Sequence, residues 1–238
     1  MTWFASSRKR KGPASSAVST AWTMPTSTGH FPEFRVDFQS VSKRFARRWI
    51  LKDFTYTFRS GTTYGIKGRN GSGKSTLLRL LCGQLTPSRG AISYHRDESP
   101  LKVDEAYRMV SWSGPYLELV EELPIEEFFQ FHFNIKPPLP GIKIGEIPQL
   151  IELEPYRRRK IMDCSSGMRQ RVLLASALYA NTPVLMLDEP TVTLDREAVE
   201  WFHEQLNRYG SGRLVVIASN EDDDLRSCDE IITMKSAN

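Results

Sequence analysis

The chain has 238 residues, 40% of them hydrophobic and 25% charged, with a net charge of +4. That length holds one α/β domain with room for a small subdomain, and the mild basic excess argues for neither a nucleic-acid nor a membrane surface as partner. No run approaches the ~18 apolar residues of a transmembrane helix, and Cys82, Cys164 and Cys228 form neither a C-x-x-C pair nor an even set, which fits cytosolic thiols. His30, His95, His132 and His203 are scattered without ligand spacing, which argues against a transition-metal site.

Residues 1–32 are rich in Ser, Thr, Ala and Pro, carry Arg8-Lys9-Arg10-Lys11 and have no acid before Glu33. Such a segment buries too little apolar surface to offset its ordering entropy, so it reads as a disordered extension or as sequence ahead of a later start such as Met24. A regular pattern begins at Phe34. Alternation predicts strands at 34–38 and 54–58, and a third at 62–67 runs into glycine-rich sequence. A helix is expected over 77–85, closed by a turn at 86–90, then strands near 91–94 and 108–112. The stretch 113–164 reads as an inserted helical lobe, with an aromatic-rich helix at 125–133, a Pro/Gly break at 136–141 and a short helix at 146–153. Helices follow at 167–180 and 196–209, with apolar strands at 184–187, 214–218 and 231–234. Apolar strands alternating with helices imply a buried parallel sheet.

Two motifs carry chemistry. Gly68-Arg69-Asn70-Gly71-Ser72-Gly73-Lys74-Ser75, with Thr76 after it, matches G-x-x-x-x-G-K-[ST] between a strand and a helix. Glycines let successive backbone N–H groups curl toward phosphate oxygens, and the following helix adds its N-terminal dipole. In such a P-loop, Lys74 is expected to reach the β- and γ-phosphates of ATP and Ser75 to ligate Mg²⁺. The second motif, Val184-Leu-Met-Leu-Asp188-Glu189, is an apolar strand ending in two acids. Asp188 is the expected second Mg²⁺ anchor, and Glu189 is placed to polarise the attacking water as general base.

Between these motifs lies Cys164-Ser165-Ser166-Gly167-Met168-Arg-Gln-Arg171, directly before a helix, and Thr191-Val-Thr-Leu-Asp195 follows the acid pair. They resemble the signature motif and the D-loop of ABC ATPases, and the order of the motifs is that of the family over about residues 34–235. The S-S-G-M form, with Ser166 for a usual Gly and Met168 for a usual Gln, resembles a branch that includes relatives of the haem-exporter ATPase of cytochrome c maturation. The resemblance implies an α/β P-loop NTPase over residues 33–238, with a parallel core sheet, a small N-terminal antiparallel β subdomain and an inserted helical subdomain. It implies a head-to-tail homodimer around two ATP-Mg²⁺, in which Ser165 to Met168 and Asp195 meet the ATP held by the opposite copy. Ser165 is also suited to cap the helix that starts beside it. Phe45, with Trp49 as alternate, stands where the family carries an aromatic against adenine.

The sequence departs from that pattern twice. No Gln follows the strand at 108–112, leaving Ser111, Trp112 and Glu118 as candidates for its role, and Asn220 stands at the switch-histidine position. Asparagine can donate to a γ-phosphate but carries no charge, so ATP binding with slow hydrolysis is expected. The function implied is the ATP-binding and hydrolysing subunit of an ABC transporter, held at the cytoplasmic face of a membrane by a separate integral permease. The expected contact is 116–122, and no nucleic acid is expected to bind directly. Phe128, Phe129, Phe131 and Phe133 read as core, and partial exposure there would favour docking. The alternatives are a soluble ABC-family ATPase and a weakly hydrolytic ATP-binding regulator.

Overall fold

The computed structural model describes residues 31–115 and 117–235. The extension expected at the N-terminus, as far as residue 30, and Tyr116 of the expected permease contact lie outside the described residues. The first strands, β1 (Phe34–Phe45) and β2 (Arg48–Arg59), form a long hairpin, and β3 (Thr63–Lys67) leads into α1 (Lys74–Leu81). Next come β4 (Arg89–Arg96), β5 (Ser99–Leu101), α2 (Val103–Arg108) and β6 (Val110–Ser113). After α3 (Ile125–Ile135), α4 (Ile147–Leu150) and three single 3₁₀ turns, the chain forms α5 (Ser166–Leu178), β7 (Val184–Asp188), α6 (Arg196–Tyr209), β8 (Leu214–Ser219) and β9 (Glu230–Thr233).

Strands β2-β1-β4-β5 make an antiparallel sheet, and β6-β7-β8-β3-β9 a parallel one. Period-two alternation divides the parallel strands between two cores. Val184 and Met186 of β7, with Val216 and Ala218 of β8, join α1 and the aromatic face of the antiparallel sheet. Leu185, Leu187, Val215 and Ile217 face the other way, onto α3, α5 and α6. Burial on both faces is why β7 and β8 read as continuous apolar runs rather than alternating ones.

Several expected elements shift, among them the first two strands, which run over Phe34–Phe45 and Arg48–Arg59 rather than 34–38 and 54–58. The helix after the glycine-rich loop starts at Lys74 rather than 77, because Gly73 at φ +104° turns the chain straight into it. The strand expected from 108 begins at Val110, preceded by the six-residue α2, in which only Ala106 is buried. A helix so short and exposed shows no periodicity; the Glu105 carboxylate accepting from Lys102 N at 2.9 Å starts it. The helix expected over 146–153 is a 3₁₀ turn at Ile144–Glu146 followed by α4, and that expected over 167–180 is α5, one residue earlier at its start.

Candidate functional site

The loops leaving β3, β7 and β8 lie together at the carboxyl ends of adjacent parallel strands, where open α/β sheets place their ligands. A cavity of about 830 Å³ opens there, lined by Asn70, Gly71, Gly73, Lys74, Ser75 and Thr76 from the first loop, Asp188 and Glu189 from the second, and Asn220 from the third. Phe45 lines its rim, 48% exposed, with Lys43 Nζ 5.2 Å from the ring centroid. Trp49 is outside the cavity wall, its ring centroid 5.6 Å from the Arg44 guanidinium and 5.3 Å from that of Arg89. Of the two aromatics, Phe45 is the one that lines the cavity.

The loop is shaped by steric necessity at two glycines. A Cβ on Gly73 would lie 2.6 Å from Ile50 Cγ2, and one on Gly68 would lie 2.5 Å from Ser72 Oγ. Gly68 and Arg69 line a neighbouring cleft, and Ser72 is buried beneath the loop with its hydroxyl unpaired. The N-terminus of α1 carries no side-chain cap and no acidic residue in its first turn, so its N–H groups and dipole face the cavity.

Lys74 is 5% exposed; its ammonium donates to the Gly68 carbonyl at 2.8 Å and lies 2.9 Å from Glu189 Oε1. Burial raises the pKa of Asp188, while the Ser75 hydroxyl hydrogen-bonded to it pulls the other way. A buried carboxylate against a hydroxyl is an all-oxygen donor pair of the kind that Mg²⁺ takes. Glu189 sits at φ +50°, in the left-handed region that a glutamate rarely adopts, and its N donates to Ala218 O at 2.8 Å. The outcome is a carboxylate turned back over the loop rather than onward along β7. Asn220 Nδ2 donates to Glu221 Oε1 at 3.1 Å.

Ser165, Ser166, Gly167 and Met168 do not line this cavity. Ser165 caps α5, its Oγ accepting from Met168 N at 3.2 Å, and Ser166 faces a second cleft with Thr193 and Glu121. Asp195 is likewise outside the cavity: it caps α6, accepting from Ala198 N at 2.8 Å. Within one chain, then, these five residues are not brought to the loop. Among the candidates for the missing glutamine, Ser111 is turned into a buried cluster with Arg213 and Thr182. Glu118 lines clefts away from Asp188, whereas Trp112 shares a small cavity with it. Sequence reasoning missed Arg48, Ile50, Arg79, Pro115 and Val192 in the cavity wall, of which only Val192 stands in a motif, the D-loop.

A sequence profile of the family described as ABC transporter matches residues 51–192, more than half of the chain. The chain belongs to the ABC transporter family. It is similar to YybJ, an uncharacterized ABC transporter ATP-binding protein of Bacillus subtilis, at 28% identity over 207 residues, covering 84% of this chain and 92% of that one. Nod factor export ATP-binding protein I of Burkholderia lata is 28% identical over 209 residues, covering 86% and 69%. Among solved structures, the ATP-binding cassette MJ0796, a dimer in a post-hydrolysis state bound to ADP and Pi, superposes with a TM-score of 0.71 at 25% identity, covering 84% of this chain and 94% of that one. The chain is an ABC ATP-binding subunit with ATPase activity as its family function. Among the described residues no helix is long and apolar enough to cross a membrane.

Proposed function

We propose that this subunit works as half of a head-to-tail homodimer, closing on two ATP to drive a separate integral membrane permease. The observation that carries the reading is the split of the motifs: Lys74, Ser75, Asp188, Glu189 and Asn220 converge on one cavity, while Ser165–Met168 and Asp195 are displayed elsewhere. A second copy would supply the missing wall, with the capped N-terminus of α5 facing the γ-phosphate as an anion site. Ser75 and Asp188 would hold Mg²⁺, which when bound neutralises charge on the phosphates. Lys74 would bind β- and γ-oxygens, and Phe45 would stack on adenine. Glu189 would orient and polarise water, and Asn220 would donate a neutral hydrogen bond to the γ-phosphate.

For the permease, the geometry favours the groove between β6 and α3. Tyr107, Leu117, Val120, Phe131 and Ile135 line it, all large apolar residues that stay 41–71% exposed. Phe128, Phe129 and Phe133 of the same helix are buried, so the aromatic stripe divides: three rings hold the core and Phe131 faces out. An apolar patch of this kind supports protein docking. Such docking would hold the subunit at the cytoplasmic face of the membrane.

The test of the nucleotide chemistry is Glu189→Gln. ATP binding and ATP-driven dimerisation, followed by light scattering, are expected to persist while turnover falls at least about 100-fold. Turnover within a few-fold of wild type would remove Glu189 as the base.

A further inference from the structure

Asp224 is 1% exposed, and the chemistry above makes no use of it. It ends the run Glu221-Asp222-Asp223-Asp224 after β8, in which the first three side chains are exposed and only the last turns inward. Thr191 Oγ1 donates to its Oδ1 and Ser219 Oγ to its Oδ2. A buried carboxylate is costly unless its oxygens are satisfied, and here two hydroxyls satisfy them.

Both hydroxyls border Glu189. Thr191 follows it by two residues in the turn after β7. Ser219, fully buried at the end of β8, has its Oγ 3.1 Å from Glu189 Oε2. Ser219 Oγ also accepts from Glu221 N at 3.0 Å, which leaves the hydroxyl one hydrogen between two carboxylates. That hydrogen is shared between Oδ2 of Asp224 and Oε2 of Glu189, so the hydroxyl bridges the two side chains.

We propose that Asp224 is a positioning residue for hydrolysis: through Ser219 and Thr191 it ties the end of β8 to the turn after β7 and fixes the Glu189 carboxylate in place for the attacking water. It rests on the reading of Glu189 as general base. A carboxylate held in the left-handed backbone region needs such outside support, because the local conformation does not favour it. The bracket also joins the D-loop, through Thr191, to the strand that presents Asn220. Asp224 touches no reacting atom and acts only through its two hydroxyl partners.

The experiment compares Thr191→Val, Thr191→Ser and Asp224→Asn in the full chain. Thr191→Val and Asp224→Asn are expected to lower kcat about 10- to 100-fold, while KM for ATP and the affinity for a fluorescent ATP analogue stay within about twofold. Thr191→Ser restores most of the rate, and the double variant is no slower than the slower single one, since both cut the same bracket. Wild-type kcat in Thr191→Val overturns the proposal, as does a loss of kcat that tracks lost nucleotide affinity and melting temperature and is not rescued by Ser. If Asp224→Asn does not fold, the Thr191 pair decides alone. Glu189→Gln run alongside separates the two ideas: full turnover there removes the base, whereas lost turnover there with an intact Thr191→Val removes only the bracket.

Discussion

Lys74 holds two partners that a bound nucleotide must displace or join. Its ammonium is buried, 2.8 Å from the Gly68 carbonyl and 2.9 Å from Glu189 Oε1. A phosphate in the cavity competes with Glu189 for the same charge, so nucleotide entry would also release the carboxylate that hydrolysis needs. Removing the charge leaves the phosphates facing only backbone N–H groups. Lys74→Ala is expected to abolish ATP affinity, measured by binding of a fluorescent analogue, and unchanged binding would overturn the site. Asn220 lies in the cavity wall, its amide shared with Glu221. A histidine there gains a charge-assisted bond to the phosphate. Asn220→His is therefore expected to raise turnover while ATP affinity holds; a fall in rate would count against slow hydrolysis as the meaning of Asn220. Both residues were legible from motif position. The Lys74–Glu189 contact was not, because their side chains meet only across two strands.

At the scale of elements, the helices that matter are fixed at their first turns. α1 starts without a side-chain cap and so keeps its N–H groups for a ligand, whereas α5 and α6 start on Ser165 and Asp195, which accept from their own third residues. Ser165→Ala is expected to cost about 1 kcal/mol of stability in urea unfolding. It is also expected to weaken ATP-driven dimerisation beyond that loss, because in the proposed dimer the same turn would face the second copy. Loss of stability with unchanged dimerisation would reduce Ser165 to a cap. Helix α6 has the bounds expected from sequence, and the structure shows Asp195 capping its start with Trp201, Phe202 and Leu206 buried along one face. Helix α2 was not expected, because six residues with one buried side chain carry no period.

At the scale of the molecule, a site divided between two copies makes activity depend on concentration. Turnover per subunit is expected to rise with protein concentration and to level off once dimers dominate, measured across the dilution at which light scattering shows dimers forming. A rate per subunit independent of dilution, in a protein that scatters as a monomer, would contradict the shared site. The sequence by itself determined the parallel core, the P-loop, the acid pair and the family order of motifs, because these depend on local spacing and on apolar runs that must be buried. Only the tertiary structure decided what crosses between strands. It placed Phe45 rather than Trp49 at the cavity, turned Ser111 away from it and Trp112 toward Asp188, and split the Phe stripe between core and surface. It also drew Asp224 out of an acidic run and beneath Glu189. The physical reason is that a run of charges reads alike whether each side chain faces water or a neighbouring strand, and burial alone tells the two apart.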